Sequence, residues 1–161
     1  MAAGATYEPI ATTTTSGSAT SYTFSSISSS YTDLVLIASG ALSADSDLYI
    51  QFNGDTATNY GKILVYAVSA GYGSAAYANV AQIGVGFHGT GQGNTIVNVM
   101  NYKNTTTNKV VATRSNNAGI GLQTNVGMWR STAAITSIKV YPATGNFANG
   151  FTLTLYGIAA A

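Results

Sequence analysis

Cysteine is absent from this 161-residue chain, and charge nearly so: Lys, Arg, Asp and Glu together make up 7% of it. Without a thiol the chain has no disulfide, no thiolate zinc site and no cysteine nucleophile. Glutamate and histidine occur once each, as Glu8 and His88. Soluble domains average roughly 25% charged residues; here six basic and five acidic side chains leave a formal charge of +1. The basic residues Lys62, Lys103, Lys109, Arg114, Arg130 and Lys139 are scattered. Nucleic-acid phosphates call for a clustered positive patch, so no nucleic-acid partner is expected. No apolar run approaches the ~20 residues of a membrane helix, which argues against a membrane partner. The opening MAAGATYEP shows neither the basic nor the apolar region of a secretory signal.

What is present points to a folded domain. Hydrophobic residues make up 46% and aromatics 11%, with tyrosine alone occurring 11 times, whereas disordered chains are poor in both. The length suits one domain with a sizeable core. Thr, Ser, Asn and Gly must coat the surface in place of charge. Such a surface lacks like-charge repulsion and favours self-association.

The hydrophobic pattern has period two, interrupted by Gly, Asn, Ser and Asp. Leu48, Ile50 and Phe52 share one face of a half-buried strand, and Asn53-Gly54-Asp55 then signals a turn. Phe151, Leu153 and Leu155 alternate with Thr152, Thr154 and Tyr156, and Ile138 and Val140 with Ser137, Lys139 and Tyr141. Further strands are expected at 22–26, 34–39, 63–68, 81–87, 96–102, 109–114 and 124–129, rich in residues that suit a pleated surface. Leu34-Val35-Leu36-Ile37 reads as a central strand covered on both faces. Gly84 and Gly86 mark a bulge or a close backbone approach. No stretch offers helical spacing over three turns. The expected fold is all-β, an antiparallel β-sandwich and, within that class, a jelly roll. Residues 1–15 read as an extended arm or edge strand and 16–158 as a single sandwich domain. The first residues through Thr6 are expected to be frayed or partner-dependent, and the closing Ala-Ala-Ala to hang free.

Catalytic constellations are hard to assemble. Asp45-Ser46-Asp47 with Asp55 offers oxygens for a hard cation, but aspartates beside Gly and Ser more often cap turns. Glycoside hydrolysis needs facing carboxylates, and Glu8 stands alone before Pro9. His88 has no G-x-S-x-G serine to serve and too few companions for a metal site. The glycines at 84, 86, 89, 91 and 93 lack the helix that a phosphate fingerprint requires. No enzyme activity, cofactor or metal is therefore expected. Tyr31, Tyr60, Tyr66, Tyr72, Tyr77 and Trp129, set among small polar residues, have the composition of a recognition surface or of rings filling a core.

Across nearly the whole chain, short segments in a fixed order carry a resemblance. They are Tyr7-Glu8-Pro9-Ile10, Tyr31-Thr32-Asp33-Leu34, Phe52-Asn53-Gly54-Asp55 with Thr58-Asn59-Tyr60, and Trp129-Arg130-Ser131-Thr132. Ile135-Thr136-Ser137-Ile138, Gly145-Asn146-Phe147 and Thr154-Leu155-Tyr156-Gly157-Ile158 follow. Together they resemble small virion structural proteins of tailed bacteriophages. The resemblance implies a jelly roll serving as a capsid decoration (cement) protein on the outer surface of the head, or as a tail- or head-fibre module. It implies the major capsid protein and copies of the chain itself as partners, commonly in homotrimers. On that reading contacts are expected at Tyr7 and Ile10 in the arm, in loops around Tyr60 and Tyr72–Tyr77, and at Trp129-Arg130. The alternative is a carbohydrate-binding or receptor-binding fibre module, which calls for a groove with two or three exposed rings in a row.

Overall fold

The computed structural model describes residues 6–159, which form twelve β-strands and no helix. In chain order they are β1 (Tyr7–Ser16), β2 (Tyr22–Phe24), β3 (Asp33–Gly40), β4 (Ser46–Phe52), β5 (Tyr60–Val68) and β6 (Gly71–Val80), then β7 (Ile83–His88), β8 (Gly93–Met100), β9 (Lys109–Asn117), β10 (Gly121–Trp129), β11 (Ile138–Pro142) and β12 (Asn149–Ile158). Every pairing is antiparallel. An eight-stranded sheet runs β1-β12-β3-β8-β9-β10-β5-β6, and a four-stranded sheet runs β2-β11-β4-β7. The chain is an all-β sandwich.

The topology separates into a frame and two additions. Without the hairpins β5–β6 and β9–β10, the order becomes β1-β12-β3-β8 over β2-β11-β4-β7. That eight-stranded arrangement fits a jelly roll. Both hairpins attach to the β8 side of the larger sheet and double its width.

The core lies between the frame strands, built from the inward positions that period two prescribes. Leu34, Leu36, Leu48, Ile50, Phe52, Val97, Val99, Ile138, Val140, Phe151, Leu153 and Leu155 are all sealed from solvent. Phe52-Asn53-Gly54-Asp55 makes the expected turn: Asp55 N donates to Phe52 O at 2.9 Å, with Asn53 and Gly54 at φ +52° and +69°. Two consecutive left-handed residues are what an Asn-Gly turn provides. The Gly84/Gly86 expectation also resolves as a bulge, because Leu48 pairs with Gly86 and Tyr49 with Gly84.

β3 is central, between β12 and β8, but no second layer covers its outer side. Val35 is buried there among strand neighbours while Ile37 is only half covered. β1 is an edge strand held along β12, so the segment read as an arm or edge strand is sheet from Tyr7 onward. Thr6 and Ala159, expected among the loose ends, are instead joined, Ala159 N donating to Thr6 O, while the rest of that expectation, at residues 1–5 and 160–161, lies outside the described residues. The stretch read as a Tyr72–Tyr77 loop is part of β6, ten residues long.

Candidate interaction surface

The ionisable side chains do not converge. Asp45 Oδ1 accepts from Thr90 N, and Asp47 faces Lys62 at 3.9 Å. Asp55 accepts from Ala57 N, Asn59 Nδ2 and Trp129 Nε1. The aspartates considered as cation ligands thus serve three separate places. Those three hydrogen bonds hold the Asp55 carboxyl below the usual carboxylate range. Burial pushes Asp47 up and Lys62 down, against the milder pull of each on the other. His88, which ends β7, is sealed in the core. Its Nδ1 lies 3.3 Å from Gly40 O and its Nε2 2.9 Å from Thr95 Oγ1. A carbonyl only accepts, so Nδ1 carries the proton and Nε2 accepts from the threonine hydroxyl. Burial lowers its pKa to about 4. Lys109 is likewise buried, donating to Thr107 O and Thr132 O, and burial lowers its pKa.

Tyr60 and Trp129, named above as contact residues, belong to the core. Their rings stack with centroids 6.2 Å apart, and Phe52 lies 5.6 Å from the indole. The Tyr60 hydroxyl donates to Asp55 O and receives Phe52 N, and burial pushes its pKa up to about 12. Both large rings sit at inward positions of paired strands, Tyr60 of β5 opposite Trp129 of β10. Arg130 is committed to the fold as well, with Nη2 on Thr58 O, Tyr60 O and Asn79 Oδ1. Ile10 is half-buried against the core cluster. Three of the named residues remain open to solvent: Tyr7 at 57%, Tyr72 at 91% and Tyr77 at 49%. They do not form a row. Tyr7 is on β1, at the far edge from β6, while Tyr72 and Tyr77 stand on opposite faces of β6.

What does converge is the outer face of the two added hairpins. Antiparallel register aligns the side chains in rows across the sheet. One row reads Ala76, Ile63, Val126, Ala112, Asn98 and Val35, across β6, β5, β10, β9, β8 and β3. The next holds Gly61, Met128, Val110 and Met100. On the opposite side of the first row, Ser74, Val65, Thr124 and Arg114 are followed by Tyr72, Ala67, Leu122 and Asn116. Among the described residues ten large hydrophobic side chains are left exposed, and seven of them stand on this face of the hairpins: Ile63, Val65, Tyr72, Val110, Leu122, Val126 and Met128. Arg114 is the one charge in these rows. A shallow groove of about 470 Å³ runs over Gly61, Ile63, Ala76, Val126 and Met128 toward Arg130.

The inward face of β9–β10 beyond Val111 and Trp129 is polar. Thr113, Ser115, Asn117, Gln123 and Asn125 are all buried. Gln123 Nε2 donates to Asn125 Oδ1, and Asn125 Nδ2 to Gly84 O at 2.8 Å. Ser115 Oγ accepts from Phe87 N at 3.2 Å, and Asn117 Nδ2 donates to Gly91 O. The bonds from Asn125 and Ser115 dress β7, an edge strand of the smaller sheet, and Gly86 leaves space for the Ser115 side chain to approach it. The far half of the β9–β10 hairpin is therefore polar inside, while the hairpin is largely apolar outside. That inverts what burial of apolar area favours for a surface meant to stay in water.

Sequence reasoning missed this face. Its signal lay in Leu122 and Val126, which adjoin the polar Gln123 and Asn125 that ended inside. No known protein family, curated protein or solved structure matches the chain.

Proposed function

We propose that this chain is a non-enzymatic virion structural protein, a decoration protein that sits on the outside of a phage head and stabilises the assembled shell. Its partners on this reading are the major capsid protein and further copies of itself. The observation that carries the proposal is the inverted β9–β10 hairpin with the apolar rows beside it on β5. A wide, nearly uncharged face over a polar interior is suited to being covered by another protein. A standard interface buries on the order of 800 Å² per partner. Seven large side chains between 38% and 91% exposed, from Val110 to Tyr72, offer area of that order on one face. The resemblance in the sequence supplies the setting.

The mechanism is mass action. A protein that binds only the assembled shell stabilises that shell over its dissociated parts. Many copies on one lattice multiply a modest contact. With Arg114 the only charge in the rows, docking draws little from long-range electrostatics and is insensitive to salt. The glycan reading has less support, since the exposed tyrosines lie apart.

The test uses purified particles and recombinant chain. Quantitative mass spectrometry gives its copy number relative to the major capsid protein, and a stoichiometric or simple fractional ratio is expected. Val126→Lys with Leu122→Lys places two cations on the face without touching the core, and occupancy on heads stripped of the protein should fall at least about tenfold. Absence from particles, or full occupancy by the double variant, refutes the reading.

A further inference from the structure

A β-sheet edge presents unpaired N–H and C=O groups, and proteins that stay apart blunt each edge. Among the described residues this sandwich has four edges, and three are blunted. β2 is only three residues long. β7 is buried, with side chains of Asn125 and Ser115 on its backbone. β1 carries Glu8 and Pro9 and breaks register twice, between Pro9 and Ala11 and between Thr14 and Ser16.

β6 has none of these devices. Its ten residues, Gly71–Val80, contain no proline and no charge, and they are exposed on both faces for most of their length. The single register shift comes at its end, beyond Tyr77, leaving Gly71–Tyr77 in regular pairing with Val68–Lys62. Arg130 fixes that end by its bond to Asn79 Oδ1. In a regular antiparallel ladder alternate residues turn their N–H and C=O away from the partner. Along Gly71–Tyr77 those groups face open solvent on a regularly paired edge whose residues carry no charge, bordered by Tyr72 at 91% exposure.

We propose that β6 pairs antiparallel with β6 of a second copy, joining two eight-stranded sheets edge to edge about a two-fold axis perpendicular to them. The occupant is another copy for three reasons on this molecule. An identical edge meets itself in antiparallel register without any new sequence. The other edge of the same sheet, β1, is closed to it by proline, charge and bulges. The chain also carries too little charge to keep copies apart. A perpendicular two-fold axis keeps both apolar faces on the same side. Two docking faces then act as one bivalent unit, which raises avidity for any lattice they bind. The pairing stands on the geometry of the edge; only its use in avidity rests on the decoration reading.

Sedimentation velocity on the purified full chain tests it, together with hydrogen exchange resolved by residue. A concentration-dependent dimer is expected, with alternate amides of Tyr72–Tyr77 gaining protection as it forms. Ser74→Lys with Ala76→Lys puts like charges opposite one another across the pair and should weaken dimerisation at least about tenfold, with thermal stability of the monomer retained. Leu122→Lys, on the face but two strands from the edge, should leave the dimer intact. A chain monomeric throughout the micromolar range overturns the proposal. So does a trimer, the form implied by the sequence resemblance, or a dimer lost in Leu122→Lys but kept in the edge variant. A dimer that fails to bind heads removes the decoration reading and leaves the edge pairing standing.

Discussion

Mild acid should destabilise this protein through one residue. His88 is fully enclosed, bonded at Nδ1 to Gly40 O and at Nε2 to Thr95 Oγ1, with the Phe151 ring centroid 5.4 Å away. A second ring proton would meet the Thr95 hydroxyl, which must then turn its own proton elsewhere, and the imidazolium would lie in an apolar enclosure. Its pKa is about 4 in the folded chain against 6.5 for the free side chain. Folded His88 therefore binds its proton later than unfolded His88. Stability is fully present above pH 6.5, declines as pH falls through the window from 6.5 to about 4, and levels off below it. At 1.36 kcal/mol per unit the total is about 3 kcal/mol, a large share of a typical domain's stability.

The assay is urea unfolding followed by fluorescence of Trp129, the sole tryptophan and itself buried, at steps across that window. Asp47 runs the opposite way there: its folded pKa is raised, so it adds stability as pH falls toward the unfolded value. Comparing the wild type with His88→Gln cancels that contribution, because glutamine keeps one donor and one acceptor but does not titrate. The wild type should lose about 3 kcal/mol relative to the variant between the two ends of the window. Parallel pH profiles, or an imidazole titrating near 6.5 by NMR in the folded chain, would refute the reasoning.

Two further outcomes follow from the polar contacts. Asp55→Ala leaves the buried Trp129 Nε1–H and the Asn59 amide without their acceptor, and should lower stability by about 1–3 kcal/mol in denaturant titrations. Asp55 is the opposite case to Asp47: its folded pKa is lowered, so its contribution is present above the unfolded value of 3.8 and lost as pH falls through the folded one. For Asp47 and Lys62, desolvation outweighs mutual attraction at 3.9 Å. Replacing both, as Asp47→Leu with Lys62→Met, should leave the melting temperature unchanged or higher, whereas Asp47→Leu alone should lower it. A double variant less stable than the single one would contradict that ordering.

The fold class was legible because period two is written wherever one face is buried. Leu48-Tyr49-Ile50-Gln51-Phe52 and Phe151–Tyr156 alternate cleanly, and both became frame strands. β6 could not be read the same way. Gly71–Val80 buries neither face, so its residues had no pressure to alternate, and only pairing with β5 makes it a strand. The β9–β10 hairpin shows a different limit. Val110 and Val111, or Met128 and Trp129, alternate equally well with either face inward. Phase was decided by Trp129 and Lys109 filling the frame's end and by side chains dressing β7, which are long-range contacts. The same contacts drew Tyr60 and Trp129 into the core, although their polar neighbours resembled those of a surface.

The scarcity of charge, the inverted hairpin and the bare β6 edge form one physical argument. A charged surface would have kept copies apart and the outer face dry of partners, and it would have required a polar outer face on β5, β9 and β10. Instead the eight frame strands supply most of the core and, among the described residues, hold only Tyr7 and Met100 of the exposed large hydrophobics. The two hairpins enter the core cluster only through Tyr60, Val111 and Trp129, and the remaining strands already make two four-stranded sheets. Area that is exposed, apolar and dispensable to the fold is costly in water unless something covers it. Stability of the frame and adhesiveness of the hairpins are thus separable. Substitutions at Ile63, Leu122 or Val126 should move association while leaving unfolding nearly untouched, and those at Phe52, Tyr60 or Leu153 should do the reverse.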